Sequence, residues 1–380
     1  MLREQYGEHN KTCAEIHLGH LLENLRAIQA HVAPALVIPV VKADAYGHGA
    51  VVVAKTVARG ADLLAVAQFK EAMELRDSGI ANPILIFGRL LPHEIPVAVA
   101  AGFRISLFCR EDIDWIEKAS LDKQAVVHVN LETGMGRVGV IVENDPDFFP
   151  ILRASDSCVW EGLYSHFSTA DEKDKTYANL QMNRFNAFLA HIQAWSRKPL
   201  LIHMANSGGI LDMPESRFDA VRSGIIMYGH YPSVETFRPI ALKQVMTFKT
   251  YVSHVRLLPK DHPISYGRRW VAGEATRIAV IPVGYADGIP RAMTNKGEVL
   301  INGARFPMVG TVTMDQTMIH IGNAAVERGD EVLLWGDSAS GSLELLDLAE
   351  RINTIPYELT CGVSSRVQRI YIDPPQYIPS

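Results

Sequence analysis

The stretch LVIPVVKADAYGHGAVVVAKTVARG (residues 36–60) joins an apolar run, a polar break rich in glycine and an amphipathic segment. Short runs of Val, Ile and Leu without strict alternation are typical of strands buried on both faces, as in parallel sheets. The segment Ala50 to Arg59 has the pattern of a crossover helix. This stretch therefore predicts one β–α unit of a parallel sheet.

The same unit recurs between about residue 36 and residue 226, with further helices predicted at Phe69 to Asp77 and Tyr177 to Trp195. The eight apolar runs are Leu36 to Val41, Leu63 to Ala67, Pro83 to Phe87, Arg104 to Phe108, Ala125 to Val129, Val159 to Tyr164, Leu200 to Met204 and Phe218 to Ile225. Eight strands with intervening helices predict an α/β fold, a (β/α)8 barrel of the TIM type. A doubly wound open sheet is the alternative, because periodicity alone does not distinguish a closed sheet from an open one.

After about residue 243 the pattern changes to short strands separated by turns, with one good helical segment at Leu343 to Ile352. The predicted strands are Thr247 to Leu257, Thr276 to Pro282, Glu298 to Ile301, Thr317 to Ile321 and Glu331 to Leu334. We therefore predict a barrel domain over residues 12–243 and a mainly β domain over residues 244–380 together with residues 1–11. The segment Ala14 to Leu18 could join either domain.

Composition limits the class of function. Of 380 residues 37 are basic and 42 acidic, which gives a formal net charge of -5, and 48% are apolar. These values favour folded domains, and the lack of a basic stripe argues against a nucleic-acid partner. No apolar run reaches the ~18 residues that cross a bilayer, and Met1 to Lys11 lack the apolar core of a secretory signal. We therefore expect a cytoplasmic protein with no membrane partner.

The cysteines and histidines give no sign of a metal site. The four cysteines form no Cys-x-x-Cys pair, and no His-x-His or His-x-x-x-His cluster stands out among the 14 histidines. In a chain that carries no export signal, such cysteines are most simply buried thiols. We therefore expect no metal.

In a barrel of this kind, the loops after the C-terminal ends of the strands carry the reactive groups. Lys42 ends the first strand, where burial lowers the pKa of a lysine toward use as a nucleophile or base. The polar groups that follow strands 5 to 8 at the same rim are Arg137, His166, His203, Ser207 and Arg222. Each alone has an ordinary structural explanation as a salt bridge, a core histidine or a turn, but their joint placement favours a site.

Ser207, Gly208 and Gly224 with Ile225 offer backbone N–H groups near strands 7 and 8, where barrels often bind phosphate. A phosphorylated aldehyde cofactor held on Lys42 as a Schiff base would use all of these groups at once. The residues therefore predict an enzyme that binds such a cofactor.

The segment VVKADAYGHG (residues 40–49) resembles the pyridoxal-phosphate attachment segment of the alanine racemase family. The second domain repeats the resemblance with SYG (residues 265–267), GYADG (residues 284–288) and TMDQ (residues 313–316). It extends from about residue 14 to residue 366. The resemblance implies an isomerase that interconverts L-alanine and D-alanine with pyridoxal 5'-phosphate and supplies D-alanine for cell-wall peptidoglycan.

By this resemblance, Lys42 and Tyr266 are two proton carriers on opposite faces of the substrate, as racemisation requires. A free tyrosine has a pKa of about 10, so Tyr266 needs His166 and Arg222 to favour its phenolate. Arg222 is expected to face the pyridine nitrogen and to keep it unprotonated, because arginine does not give up its proton. We expect His203 to orient Arg222.

The resemblance also implies the remaining contacts. The cofactor phosphate would contact Tyr46, Ser207, Gly224, Ile225 and Tyr357, and the substrate carboxylate would contact Arg137 and the backbone N–H of Met314. The family acts as a homodimer in which each mainly β domain covers the partner's barrel mouth, so the active site is shared across subunits. Residues that match the substrate corridor and its gate are Tyr285, Arg291, Ile355 and Tyr357.

Two positions depart from the family pattern. Asn130 stands where many members have a carbamylated lysine that orients the arginine at Arg137, and an amide cannot carry a carbamate. We hypothesise that a small anion such as chloride, bound near Asn130, supplies the missing negative charge. Thr311 stands where an arginine is frequent, and we expect at most the loss of a surface contact.

Other functions remain open from the sequence. Within racemases, serine or broad amino-acid specificity is the alternative to alanine. A pyridoxal-phosphate decarboxylase of the same architecture would ordinarily place an acidic residue opposite the pyridine nitrogen, so Arg222 and Tyr266 argue against it. A non-catalytic cofactor carrier would need Lys42 and the phosphate loop but not residues 244–380, so the second domain argues against it.

Overall fold

The computed structural model describes residues 12–119, 122–192 and 200–373. These residues form two compact units. The first comprises residues 22–227 and 231–242, and the second comprises residues 12–21, 228–230 and 243–373. Residues 1–11 and 374–380, which the sequence analysis assigns to the β domain, lie outside the described ranges, as does the end of the predicted helix Tyr177 to Trp195.

The first unit is a parallel barrel. The described chain begins with β1 (Cys13–His17) and α1 (Leu18–Val32), and eight strands follow: β2 (Leu36–Pro39), β3 (Leu64–Val66), β4 (Ile84–Ile86), β5 (Arg104–Leu107), β6 (Ala125–Asn130), β7 (Cys158–Tyr164), β8 (Leu201–His203) and β9 (Ala220–Ser223). They pair in the order β2-β9-β8-β7-β6-β5-β4-β3. A parallel bridge between Val40 and Ala65 joins the two ends of this order. The predicted (β/α)8 barrel is therefore confirmed.

Helices alternate with the barrel strands along the sequence. They are α2 (Lys42–Gly47), α3 (Ala50–Val57), α4 (Phe69–Asp77), α5 (Ile95–Ala100), α6 (Arg110–Lys118), α7 (Phe148–Ala154), α8 (Thr176–Ile192) and α9 (Ser207–Asp212). The prediction for α4 is correct at both ends. Its first turn is stabilised by Glu71, whose carboxylate accepts the backbone N–H of Gln68 at 2.9 Å, as in a capping box.

The second unit is mainly β. Its strands are β1 and then β10 (Met246–Tyr251), β11 (His254–Leu258), β12 (Pro263–Ile264), β13 (Trp270–Val271), β14 (Thr276–Ile281), β15 (Glu298–Ile301), β16 (Ala304–Pro307), β17 (Thr317–His320), β18 (Glu331–Ser338), β19 (Gly341–Leu343) and β20 (Gln368–Ile372). The larger sheet has the order β16-β15-β18-β10-β1-β20, with β19 paired to β18, and β11-β14-β17 form a smaller sheet. Strand β1, which the sequence left open between two domains, pairs with β10 and β20.

Two sequence predictions for this unit were wrong. The predicted strand Thr247 to Leu257 is divided into β10 and β11, which lie in different sheets. The chain changes sheets at Val252 and Ser253, whose N–H groups bind the carbonyls of Asp330 and Val280, each at 2.9 Å. Besides α10 (Leu345–Arg351) there is a second helix, α11 (Pro356–Gly362). Proline in the first turn of α11 removes only an N–H that has no partner within the helix.

Candidate active site

Lys42 lies where a buried barrel strand ends. Val40 and Val41 are 4% and 1% exposed, and Lys42 begins α2. The next four residues, 43–46, have φ between 52° and 55°, so α2 is a turn of left-handed helix. Left-handed helical geometry costs about 1–2 kcal/mol for each residue with a side chain. Strain of this kind is typical of functional sites that the surrounding structure holds in place.

Glu71 holds this turn. One carboxylate oxygen accepts the backbone N–H of Ala43 at 2.7 Å. The other accepts the N–H groups of Ala67 and Gln68 at 2.8 and 2.9 Å. A single side chain on α4 therefore ties the residue after Lys42 to the loop that follows β3. No motif in the sequence distinguishes Glu71 from the other acidic residues of a predicted helix.

Arg222 is 4% exposed, and the terminal nitrogens of its guanidinium donate to five acceptor atoms on four residues. Nη1 donates to the carbonyl and to Nδ1 of His203, both at 2.9 Å. Nη2 donates to the carbonyls of Ser165 and Met204 at 2.6 and 2.9 Å and to Nδ1 of His166 at 3.2 Å. Burial lowers the pKa of Arg222 to about 10, so the side chain stays protonated near neutral pH.

His166 is neutral in this environment. Burial and then the positive charges of Arg222, Arg137 and Lys42 lower its pKa well below the ordinary value. Arg222 lies in hydrogen-bonding contact with His166, and the charges of Arg137 and Lys42 act on the same imidazole. The predicted convergence of lysine, arginine and histidine is thus found among the residues of the first unit.

Tyr46, Ser207 and Gly224 lie together at the same rim, and we call this group the Gly224 surface. A Cβ added to Gly224 would lie 2.6 Å from Oη of Tyr46 and 3.6 Å from Oγ of Ser207. Ser207 begins α9, and Ile225, which is fully buried, begins a 3-10 turn. The glycine therefore permits the close approach of the Tyr46 hydroxyl, and it leaves two hydroxyls beside its backbone at a place that a side chain at residue 224 would block. These residues fit the phosphate of an aldehyde cofactor held on Lys42.

Asn130 ends β6 and is 6% exposed. Its side chain interacts with the phenol of Tyr164, which also donates to Oγ of Ser106 at 2.9 Å. The ring of Tyr164 stacks on His203 with centroids 4.9 Å apart, and the guanidinium carbon of Arg222 lies 5.3 Å from its centroid. The departure at Asn130 is therefore part of the packing around Arg222.

Tyr266 belongs to the second unit and is 74% exposed. It begins a 3-10 turn that follows Ser265, whose φ is 62°. The hydroxyl of Thr311 donates to the carbonyl of Tyr266 at 2.7 Å, and the hydroxyl of Ser265 donates to the carbonyl of Thr311 at 2.7 Å. Thr311 is 2% exposed. The expectation that Thr311 affects only a surface contact is therefore wrong.

The loops that carry Tyr285 and Met314 lie beside each other in this unit. The N–H of Tyr285 binds the carbonyl of Thr313 at 3.0 Å, and the N–H of Ala286 binds the carbonyl of Met314 at 3.1 Å. Tyr285 and Met314 are 44% and 51% exposed. A cavity of about 350 Å³ borders Tyr266 and Thr313. Tyr357 lies on α11 of the same unit. The proposed roles of Tyr266, Met314 and Tyr357 combine them with barrel residues of the first unit, and these roles stay predictions.

His128 and Glu161 were missed by the sequence analysis. His128 lies in β6 within an apolar run and is fully buried. Its two ring nitrogens contact His203 and Glu161, each at 3.0 Å. A signal was present, because a histidine and a glutamate interrupt apolar runs on neighbouring strands.

Comparisons with known proteins agree with this geometry. Residues 16–232 match the family model of the alanine racemase N-terminal domain, and residues 245–371 match that of the C-terminal domain. The chain belongs to the alanine racemase family. This family consists of pyridoxal-phosphate-dependent isomerases, so the predicted cofactor and enzyme class are confirmed.

Individual relatives cover nearly the whole chain. Alanine racemase 2 of Caldanaerobacter subterraneus subsp. tengcongensis is 39% identical, with 97% of this chain and 96% of that protein covered. The alanine racemase of Methanococcus maripaludis is 39% identical, with 94% and 98% covered. The crystal structure of the alanine racemase from Bacillus anthracis with bound L-Ala-P has 36% identity and a TM-score of 0.88, with 96% of each chain covered.

Proposed function

We propose that this protein interconverts L-alanine and D-alanine, with Lys42 and Tyr266 as the two proton carriers. The observation that carries this proposal is the state of Arg222. It is a buried, protonated guanidinium with hydrogen-bonding partners for both terminal nitrogens. Arginine can only donate hydrogen bonds, so it suits an unprotonated pyridine nitrogen. A decarboxylase of this architecture would use a carboxylate there.

The division of labour follows from the residues. When bound, pyridoxal phosphate withdraws electrons from the Cα–H bond of the amino acid. Nζ of Lys42 takes or returns the proton on one face of Cα, and Oη of Tyr266 does so on the other. The neutral His166 and the cationic Arg222 support the phenolate of Tyr266. Removal and return on opposite faces invert the configuration.

The other residues bind and orient. The cofactor would be held by a set of groups that anchor its phosphate and its ring: Lys42, Tyr46, His166, His203, Ser207, Arg222, Gly224, Ile225 and Tyr357. Arg137 and the N–H of Met314 would bind the carboxylate of the substrate. We propose the same two domains as the sequence does, a cofactor-binding barrel over residues 12–243 and a mainly β domain over residues 244–380 with residues 1–11.

We propose a homodimer whose active sites combine both subunits. In support, Tyr266, Tyr285 and Met314 expose 74%, 44% and 51% of their surface on loops of the second unit that contact one another. Large exposed apolar side chains that cluster in this way mark interaction sites. In a dimer, these loops would face the barrel mouth of the partner and bring its Tyr266 to Lys42.

The biological role proposed is to supply D-alanine for peptidoglycan in the cytoplasm. All four cysteines lie in the described part of the chain and form no disulfide there, which suits a reducing compartment. Among the described residues, no helix is long and apolar enough to cross a membrane.

The test is an exchange assay over a panel of amino acids, with chirality and released carbon dioxide measured together. We expect inversion of alanine without carbon dioxide. Lys42→Ala should lose the absorbance band of the covalently bound cofactor, whereas Tyr266→Phe should keep the band and lose most racemisation. Full activity in Tyr266→Phe would refute the assignment of two proton carriers. Faster turnover of serine than of alanine would move the proposal to the alternative, a serine or broad-specificity racemase.

A further inference from the structure

A continuous chain of hydrogen bonds leads from Arg222 across the barrel to Glu161. Nη1 of Arg222 lies 2.9 Å from Nδ1 of His203. Nε2 of His203 lies 3.0 Å from Nδ1 of His128. Nε2 of His128 lies 3.0 Å from Oε2 of Glu161. The four residues come from four neighbouring strands, β9, β8, β6 and β7, of the sheet order given above.

The residues at the two ends of this series of hydrogen bonds fix which atom donates in each bond. A guanidinium can only donate and a carboxylate can only accept, whereas a neutral imidazole has one donor and one acceptor. His203 must therefore accept through Nδ1 and donate through Nε2, and His128 must do the same. With these two tautomers, each of the three hydrogen bonds has one donor and one acceptor.

The two imidazoles have no alternative partner in water. His128 and His203 are both fully buried. Burial is the main cause that lowers the pKa of each, so both rings stay neutral. A buried ring in the other tautomer would point an N–H at the N–H of its neighbour, and leaving a buried donor unsatisfied is unfavourable.

The far end of the chain is itself anchored. Nε and Nη2 of Arg104 donate to the two carboxylate oxygens of Glu161 at 2.9 and 3.0 Å. Partial burial raises the pKa of Glu161, but the hydrogen bonds from His128 and Arg104 lower it more, to about 2. Glu161 therefore remains a carboxylate, which accepts and does not donate.

The neighbouring strand leaves room for this arrangement. Gly162 lies opposite His128 in the pairing of β6 with β7. A Cβ added to Gly162 would lie 2.4 Å from Nδ1 of His128, the atom that contacts His203. Gly162 therefore permits the position of the His128 ring on which the series of hydrogen bonds depends.

We propose that Glu161 is a positioning residue: through His128 and His203 it fixes the ring tautomers that keep Nδ1 of His203 an acceptor for Arg222. The positioning of Arg222 by Glu161 does not depend on the proposed function, but its effect on catalysis does. Arg222 that loses this acceptor is held less firmly at its place in the rim.

The direct test is nitrogen NMR of holoenzyme labelled with 15N-histidine. In the wild type we expect Nδ1 unprotonated and Nε2 protonated in both His128 and His203. Glu161→Gln retains an acceptor oxygen and should keep this pattern. Glu161→Leu removes the acceptor and should give a protonated Nδ1 at His128. A protonated Nδ1 at His203 in the wild type would overturn the proposal.

Arg104→Met is the matched control for a merely structural role. It removes the ion pair with Glu161 but leaves the carboxylate as the acceptor of His128, so the tautomers should stay as in the wild type. If Arg104→Met changes them as much as Glu161→Leu does, the ion pair and not the acceptor is responsible, and the proposal fails.

A second readout separates this proposal from the proposed function. A loosely held Arg222 no longer keeps the pyridine nitrogen unprotonated, and a protonated ring favours transamination of the cofactor to pyridoxamine phosphate. In Glu161→Leu, the fraction of turnovers that ends in pyridoxamine phosphate should therefore rise about fivefold, the effect of one lost hydrogen bond, with Glu161→Gln near the wild type. An unchanged fraction in Glu161→Leu counts against positioning. A wild type that racemises no amino acid but shows the expected tautomers would refute the proposed function and leave the positioning role intact.

Discussion

The side chain of Thr311 is bonded to the backbone of Tyr266: its hydroxyl donates to the carbonyl of Tyr266 at 2.7 Å. The carbonyl of Thr311 in turn accepts the hydroxyl of Ser265 at 2.7 Å. Ser265 and Gly267 both have positive φ, 62° and 73°, so the turn that carries the phenol depends on these contacts. A buried threonine therefore determines where an exposed tyrosine stands.

Removal of the hydroxyl at this position should slow catalysis without loss of the cofactor. In Thr311→Val, which keeps the shape of the side chain, we expect kcat to fall about five- to tenfold, because one hydrogen bond contributes about 1 kcal/mol. Thr311→Ser keeps the hydroxyl and serves as the control. Steady-state racemisation with the cofactor absorbance as a check measures this effect. A full kcat in the valine variant would contradict the positioning of Tyr266 by Thr311.

Two inactive variants should restore each other if the active site is shared. In a hybrid dimer of Lys42→Ala and Tyr266→Phe, one site has both substitutions and the other has neither. Random reassociation of equal amounts should give about a quarter of the wild-type activity, because half of the dimers are hybrids and each has one intact site. Coexpression with two affinity tags isolates the hybrid. No gain over the separate variants would mean that Lys42 and Tyr266 act within one subunit.

Chloride should support substrate binding through Asn130. We expect the KM for alanine to rise about tenfold when chloride is replaced by a bulky anion, because Arg137 would lose its negative partner. Asn130→Lys, which restores the side chain from which a carbamate forms, should remove this dependence. Racemisation at constant ionic strength is the measurement. Equal KM values in the two salts would discard the anion site.

Stability should fall as the pH decreases below about 6.5, the ordinary pKa of histidine. Burial is the first cause that lowers the folded-state pKa of His128, His166 and His203. In this pH range the unfolded chain binds protons that the folded chain does not, so acid favours unfolding by up to about 1.4 kcal/mol per pH unit for each histidine. Urea denaturation over this pH range measures the free energy of unfolding, and His93→Asn, at an exposed histidine, is the control. A flat profile would mean that these histidines are charged in the folded protein.

Relief of the strain beside Lys42 should stabilise the protein. Ala43 is exposed and has φ 52°, a conformation that glycine adopts without steric conflict. Ala43→Gly should raise the free energy of unfolding by about 0.5–1 kcal/mol, since the relief exceeds the added entropy of the unfolded chain. Ala190→Gly, at an exposed position of the right-handed α8, should lower it by about 1 kcal/mol. Thermal unfolding of both variants is the measurement. An equal loss of stability in both would show that Ala43 does not have the left-handed conformation.

Local patterns in the sequence account for much of the fold. The apolar runs identify all eight barrel strands, and α4 is correct at both ends, because burial and capping depend on neighbouring residues. The change of sheet at Val252 could not be predicted, since it depends on the partners Asp330 and Val280. The left-handed geometry of residues 43–46 was equally hidden, because none of the four is a glycine.

Site residues that belong to a sequence motif could be predicted, whereas contacts between residues of neighbouring strands could not. Lys42, Arg222 and the Gly224 surface follow from strand ends and a known segment. The contact of His128 with His203 depends on the register of neighbouring strands and on the space above Gly162. Thr311 was assigned to the surface because its bond to Tyr266 joins two loops that are distant in sequence.

The closure of the barrel beside Lys42 bears on how the protein is inactivated by heat. In the described chain, β2 meets β3 through the bridge of Val40 with Ala65, whereas β6 and β7 pair at six positions. Glu71 spans the same seam from α4. Regions with few shared hydrogen bonds open first. Strands β8 and β9, which carry His203 and Arg222, also pair at only one position. We therefore expect warming to open these two seams first, so that activity is lost before the protein unfolds.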